Sequence, residues 1–312
     1  MKRLLAGAFA LAFLAGAAFA QTRPSTPYPQ ATPDPVYPSQ DVENAMKRGE
    51  DLNRRSDELR MTENFPVKNR PKNKELFELL EPLYRHSNDD ERALMSADEA
   101  DLAAFSGITK DKHAGIFKLI VDRGCADNVK VVDASVDCAR YTMPGAGSGY
   151  SFRFEDYRMH HISDIVFRKG RFEALGVLNH GIMVDLGDVP VDSVTDKTEG
   201  VRYLAKVKAS KDFAEAADLA TKLTKGIKED GYTYASILPV LEGHTYVIRS
   251  IAYDGEALRK LGKYTYNEMD LDERRDVLVV FRVVRLTDGR EATIVWKRLD
   301  DSKAPKLKAN KE

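Results

Sequence analysis

Within ten residues the chain sets Glu155, Asp156, Arg158, His160, His161 and Asp164 side by side, its densest gathering of groups able to move a proton or hold a metal. An imidazole oriented by a carboxylate is the minimal general base. Asp156, His160 and His161 are therefore the candidate catalytic residues, and the chemistry they suit is hydrolysis. His180 follows a predicted hairpin that would return it to the same end of a sheet. His160, His161 and His180 are thus the candidate metal ligands, since imidazoles with a carboxylate can hold zinc and leave a position for water. Two features weigh against both readings. His160 and His161 are adjacent, and in a strand neighbours point to opposite faces. Neither HExxH nor a related helical spacing occurs. A solvated loop with no metal and no cofactor is the plainer expectation.

Other motifs fail on context. Pro144-Gly145-Ala146-Gly147-Ser148-Gly149 invites a nucleotide-binding reading, but Tyr150 stands where a third glycine belongs, and strand-like Tyr150-Ser151-Phe152 follows where a helix is needed. Ser148 is not a nucleophile elbow, because glycine would be required at positions 146 and 150. The stretch reads as a flexible connector. Asp185, Asp188, Asp192 and Asp196 lack the EF-hand alternation and read as a solvated turn. Tyrosines cluster at Tyr232, Tyr234, Tyr246 and Tyr253, then Tyr264 and Tyr266. A ring covers apolar faces while its hydroxyl stays wet, so Tyr232, Tyr234 and Tyr246 are the candidate binding residues for a glycan or peptide. Sheet packing explains them equally simply, because aromatics are enriched in strands.

The elements that must position these groups follow from periodicity. Leu76, Phe77, Leu79, Leu80 and Leu83 make an apolar helical face, with Asn73 as cap and Pro82 as a kink. Ser96 and Glu99 have capping-box spacing, opening a short helix that Gly107 can end. Phe213, Ala216, Ala217, Ala220, Leu223 and Ile227 recur at helical spacing between a Ser210 cap and a Gly231 stop. Strands are expected at Ile116 to Val121, Val129 to Val132, around Phe152 and Phe154, and at Ile182 to Leu186, Tyr246 to Tyr253, Val277 to Leu286 and Thr293 to Leu299. Lys169-Gly170 and Asp288-Gly289 supply hairpin turns. Val277 to Phe281 is nearly continuously apolar, as in a central strand covered on both faces. Helices lead, strands dominate later and βαβ alternation is missing. The expected class is α+β, a mainly antiparallel sheet with a few packing helices.

The ends of the chain speak to compartment. Lys2 and Arg3, the apolar run Leu4 to Leu14, and Ala18-Phe19-Ala20 make residues 1–20 a secretory signal peptide with cleavage before Gln21. Residues 21–40 carry six prolines and form a Pro-rich tether; 41–70 is a charged, helix-capable linker. The globular part runs over 71–302, with a subdivision near 144–149 as an option, and 303–312 is a Lys-rich, flexible tail. No later segment is apolar enough to span a bilayer as a helix. Loss of Lys2 and Arg3 moves the formal net charge from −1 to −3, without the basic footprint of a nucleic-acid binder. In an oxidising compartment Cys125 and Cys138, the only cysteines, read as a disulfide, worth roughly 3 kcal/mol for so short a loop. The expectation is an exported soluble protein, periplasmic or extracellular, acting as a non-enzymatic binding or interaction module toward a protein, peptide or glycan at the cell envelope. The alternative is an extracytoplasmic hydrolase with a His/Asp site in the 155–180 region.

Overall fold

The computed structural model describes residues 74–122 and 143–308. The expected leader, tether and charged linker (residues 1–70), Asn73, Val129 to Val132, Cys125, Cys138 and the last four residues lie outside the described residues.

Among the described residues five helices and fourteen strands follow one another. The helices are α1 (Lys74–Tyr84), α2 (Asp89–Leu94), α3 (Glu99–Ala104), α4 (Val201–Lys206) and α5 (Phe213–Lys225). One five-stranded sheet has the order β1 (Ala114–Ile120), β14 (Glu291–Lys303), β13 (Arg275–Thr287), β10 (Thr245–Ala252), β6 (Asn179–Asp185). A second has the order β3 (Asp156–Tyr157), β2 (Gly149–Ser151), β4 (Ile165–Arg168), β5 (Arg171–Glu173), β9 (Ile237–Pro239). Two hairpins stand apart: β7 (Ile227–Glu229) with β8 (Tyr232–Tyr234), and β11 (Leu258–Leu261) with β12 (Tyr264–Asn267). Every ladder between these strands is antiparallel. The described residues are thus mostly antiparallel sheet with few helices, compatible with an α+β or a mainly-β class. No helix among them is long and apolar enough to cross a membrane.

Strand alternation divides the core in two. Val277, Val279, Phe281 and Val283 of β13, with Tyr246, Ile248, Ile294 and Trp296, face the smaller sheet and meet Tyr150, Phe152, Phe167 and Phe172. Rings interlock there: Phe172 lies edge-on to Phe281 at 5.3 Å, and Phe152 lies 5.3 Å from Trp296. On the opposite face Leu278, Val280, Val247, Ile251, Ile182 and Val184 pack with Leu204 of α4 and Leu223 of α5. β13, third of five strands, is therefore covered on both faces over Val277 to Phe281, as its apolar run implied. The local turn signals also hold. Lys169 and Gly170 (φ 49° and 71°) join β4 to β5, and Asp288 and Gly289 (φ 52° and 65°) begin the turn from β13 to β14.

Several local expectations fail for identifiable reasons. Helix α1 runs through Pro82 to Tyr84, because Leu76, Leu80 and Tyr84 at four-residue spacing hold it on the core. Leu79 and Leu83, expected on that buried face, stay 49% and 39% exposed. The capping box belongs to Asn88 and Glu91 of α2; Asp98 occupies the cap position of α3, and Ser96 donates to the Ala97 carbonyl. Asp212, not Ser210, caps α5 by accepting from the Glu215 N–H at 2.9 Å, while Ser210 N–H donates to the Tyr253 hydroxyl. That helix stops at Gly226 (φ 85°), and Gly231 serves the β7–β8 turn.

Phe154 falls in a turn rather than a strand and stacks on His86 at 4.0 Å. The glycine-rich stretch is packed inside the fold rather than exposed as a connector. Pro144 to Gly147 form a buried tight turn, and a Cβ on Gly145 (φ 68°) would sit 2.1 Å from the Arg158 carbonyl oxygen. The lysine tail is likewise held as far as Lys308: Asp254 N–H donates to Pro305 O and Lys308 N–H to Lys211 O, each at 2.8 Å.

Candidate functional site

Asp156 opens the short edge strand β3 and is 6% exposed. Its carboxylate accepts from Ser87 Oγ (2.7 Å), Ser87 N–H (2.9 Å), His86 Nδ1–H (3.0 Å) and Tyr157 N–H (2.7 Å). These donors come from the α1–α2 connection and from its own neighbour, so Asp156 fastens the leading helices to the smaller sheet. It orients neither His160 nor His161.

The two adjacent histidines lie in a 3-10 turn, not a strand, and both reach one groove. The 3-10 geometry removes the alternation that separated them in the sequence reading. His160 Nδ1 is 2.8 Å from Arg168 Nη2, and a guanidinium only donates. Nδ1 is therefore the acceptor and the proton sits on Nε2, which donates to Ser148 Oγ at 2.6 Å. Ser148 in turn donates to the Gly145 carbonyl at 2.7 Å. Asp122 Oδ2 lies 3.9 Å from His160 Nδ1, so serine, imidazole and carboxylate fall in the order of a catalytic triad. The proton is in the wrong place for one: His160 has no lone pair for the serine, and the hydroxyl is 1% exposed. His160 locks the buried turn to β4.

His180 goes elsewhere. It is sandwiched beneath α5, with Nε2 donating to the Ala216 carbonyl at 3.0 Å and Nδ1 accepting from the Tyr253 hydroxyl at 2.9 Å. Among the described residues no group of three or more His, Cys, Asp or Glu is placed to hold a metal ion. The three histidines thus separate, with only His160 and His161 in one site.

The tyrosines also separate. Tyr246 packs between the sheets and donates to the Pro239 carbonyl at 2.9 Å; Tyr234 packs on the helical side and donates to the Gly200 carbonyl at 2.8 Å. Both are fully buried, and burial raises Tyr246 above the ordinary phenol range and Tyr234 to about 12. Tyr232 is half-buried against Gly200. Tyr232 and Tyr234 lie together on the helical side against Gly200, while Tyr246 lies apart between the sheets.

What the sequence reading missed is the other wall of the histidine groove, an opening of about 470 Å³. Leu83 and Tyr84 of α1 form one side, and the 159–161 turn with Val166 and Arg168 of β4 forms the floor. Glu173 and Leu175 lie beyond it, and the β11–β12 hairpin closes it with Arg259, Lys260, Tyr266 and Glu268. Glu268 is the centre of the polar wall. Its carboxylate accepts from Tyr84 Oη at 2.5 Å, from Arg259 Nε at 2.9 Å and from His161 Nε2. Burial alone would raise its pKa, but His161, Arg259 and the Tyr84 hydroxyl outweigh that and hold it at about 2. Burial and the same carboxylate push the Tyr84 phenol far above its ordinary value. Glu173, 3% exposed, faces Arg168 Nη1 at 3.5 Å, while Arg168 Nε donates to Asp122 at 2.8 Å. Glu268 is thus a poor base and Tyr84 a poor acid, and among the described residues no serine, threonine or cysteine lines the groove. Its chemistry is that of a seat with aliphatic and cationic walls. The Gly262-Lys263 step between Leu258–Leu261 and Tyr264–Asn267 is the hairpin signal that pointed to the missing wall.

No family model matches the chain, and no curated protein or solved structure shows significant similarity to it.

Proposed function

We propose that this protein is an exported, non-enzymatic binding module whose ligand seats in the groove between α1, the 159–161 turn and the β11–β12 hairpin. The observation that supports this reading is the groove's inventory. It has the volume of a small-ligand site, four aliphatic side chains (Leu83, Met159, Val166, Leu175), cationic groups, and a buried carboxylate, Glu268, already engaged by protein donors. Leader cleavage before Gln21, the Pro-rich tether, an α+β body and a Cys125–Cys138 disulfide complete the proposal, all resting on the sequence patterns above. The hydrolase alternative draws less support, because Asp156 is turned away from both histidines and His160 carries its proton toward Ser148.

The test is a methyl NMR screen of the chain secreted from its own leader, against a carboxylate-terminated peptide, a neutral oligosaccharide and a basic peptide. Saturable shifts at Leu83, Met159, Val166 and Leu175 with the probe recovered intact are expected. Probe turnover, or shifts confined to other surfaces, would contradict the proposal. Alkylation of the same unreduced protein should find no thiol; two labelled cysteines would exclude the disulfide.

A further inference from the structure

We infer that the groove takes a carboxylate joined to an apolar body, with Lys260 as the group that meets the carboxylate. The inference rests on the binding-module reading and specifies its ligand.

The charges around the groove are unequally committed. Glu268 is 1% exposed and held by His161, Arg259 and Tyr84, so it turns little charge toward a ligand. Arg168 is engaged by Asp122, Glu173 and His160. Arg259 directs its Nε at Glu268 at 2.9 Å. Lys260 is different: it lies in the lining and is exposed, its backbone pairs with Thr265 across the hairpin, and its ammonium enters no hydrogen bond or ion pair with another described residue. Among the described residues, the uncommitted cation at the mouth is therefore the Lys260 ammonium, a point charge rather than a fork. A carboxylate matches it. A phosphate dianion would carry a second negative charge toward Glu173 and Glu268 and lacks a guanidinium fork to receive it.

The apolar half follows from α1. Leu83 forms the groove's lip, and Leu79, one turn earlier on the same helix face, continues the strip outside it. Leucines left this exposed on the helix that borders a cationic mouth give an aliphatic ligand a track leading out of the groove. Tyr84 does not offer an open ring platform for a sugar, since it is 9% exposed and its hydroxyl meets both Glu268 and Tyr266.

Such a ligand is either a peptide C-terminus or a free aliphatic acid. Titration calorimetry of the secreted protein at pH 7 would use acetyl-Ala-Leu-Leu as the free acid, the same peptide as its amide, and octanoate. The acid is expected to bind at least tenfold more tightly than the amide, about the 1.4 kcal/mol that a tenfold ratio represents. In Lys260→Met, a substitution at an exposed position, that preference should vanish. Tighter binding of the peptide acid assigns the source to a peptide terminus, and tighter binding of octanoate assigns it to a free acid; both sustain the inference. Equal affinity for acid and amide overturns it. Failure of both acids while the neutral oligosaccharide moves the groove methyls also overturns it, yet leaves the binding-module reading standing. If no probe moves those methyls, the reading itself falls.

Discussion

Glu268 is the residue on which the groove's polar wall depends, and its behaviour with pH is a direct check. Its pKa lies at about 2, against an ordinary value of 4.5. A depressed carboxylate adds stability that is fully present above the ordinary value and disappears as pH falls through the depressed one. The shift corresponds to roughly 3 kcal/mol. Glu268→Gln is expected to lose about that much in urea unfolding at pH 7, with the gap to the unsubstituted protein closing between pH 4.5 and 2. A gap independent of pH would show that the carboxylate charge is not what His161 and Arg259 hold. Ser148 gives a second check. With the His160 proton on Nε2, a fluorophosphonate should not label Ser148 in the folded protein; stoichiometric labelling would show that the tautomer is reversed. Sequence spacing singled out His160 and His161 as catalytic and metal-binding candidates with Asp156; both line the groove, while Asp156 bonds His86 and Ser87 instead. His160 bonds its near neighbours Ser148 and Arg168, but the partner of His161 lies far along the chain: Glu268 is 107 residues on, and it also holds Tyr84, 184 residues before it. No local pattern carries such a pairing.

Turns and strands were legible because their signals are local, whereas helix boundaries and rigidity were not. Lys169-Gly170 and Asp288-Gly289 announce left-handed backbone in their own residue types. The cap of α5 was misplaced because Ser210 and Asp212 both qualify by type, and only the tertiary bond from Ser210 to Tyr253 decides between them. The turn at 144–147 looked mobile because glycine signals freedom; in the fold it signals close approach to the Arg158 carbonyl. Gly145→Ala should therefore cost about 2–4 kcal/mol, combining a left-handed alanine with a backbone clash. Gly170→Ala, also left-handed (φ 71°) but with nothing within 4 Å of its Cβ position, should cost only about 1 kcal/mol. Chemical denaturation of the two variants checks the contrast. Equal costs would mean that the 144–147 turn yields, as the flexible reading held.

The assembly of helices, sheets and hairpins is held by groups that the chain buries at a distance from the groove. Arg153 donates to Asp164 and to Asp272, each at 2.7 Å, and Arg274 donates to the same Asp272 at 2.8 Å. Burial alone would raise the Asp272 pKa, but Arg153 and Arg274 hold it below the ordinary carboxylate value; burial in turn lowers Arg274 to about 10. Arg158, stacked 3.8 Å over Phe154, reaches the carbonyls of Tyr84 and Leu271. These arginines tie the smaller sheet to α1 and to the segment that carries Glu268, so they set the groove's width. Asp272→Asn should lose about 3–5 kcal/mol, because it leaves buried guanidinium groups without their anion; a loss under about 1 kcal/mol in thermal or urea unfolding would place the restraint elsewhere. The groove is what this scaffold exists to hold in the binding reading, and titrating the methyl spectrum of the protein with acetyl-Ala-Leu-Leu tests that most directly. The expected result is saturable movement of Leu83, Met159, Val166 and Leu175, with Leu119 and Ile294 between the sheets unmoved. Shifts at the buried pair alone, or none anywhere, would contradict it.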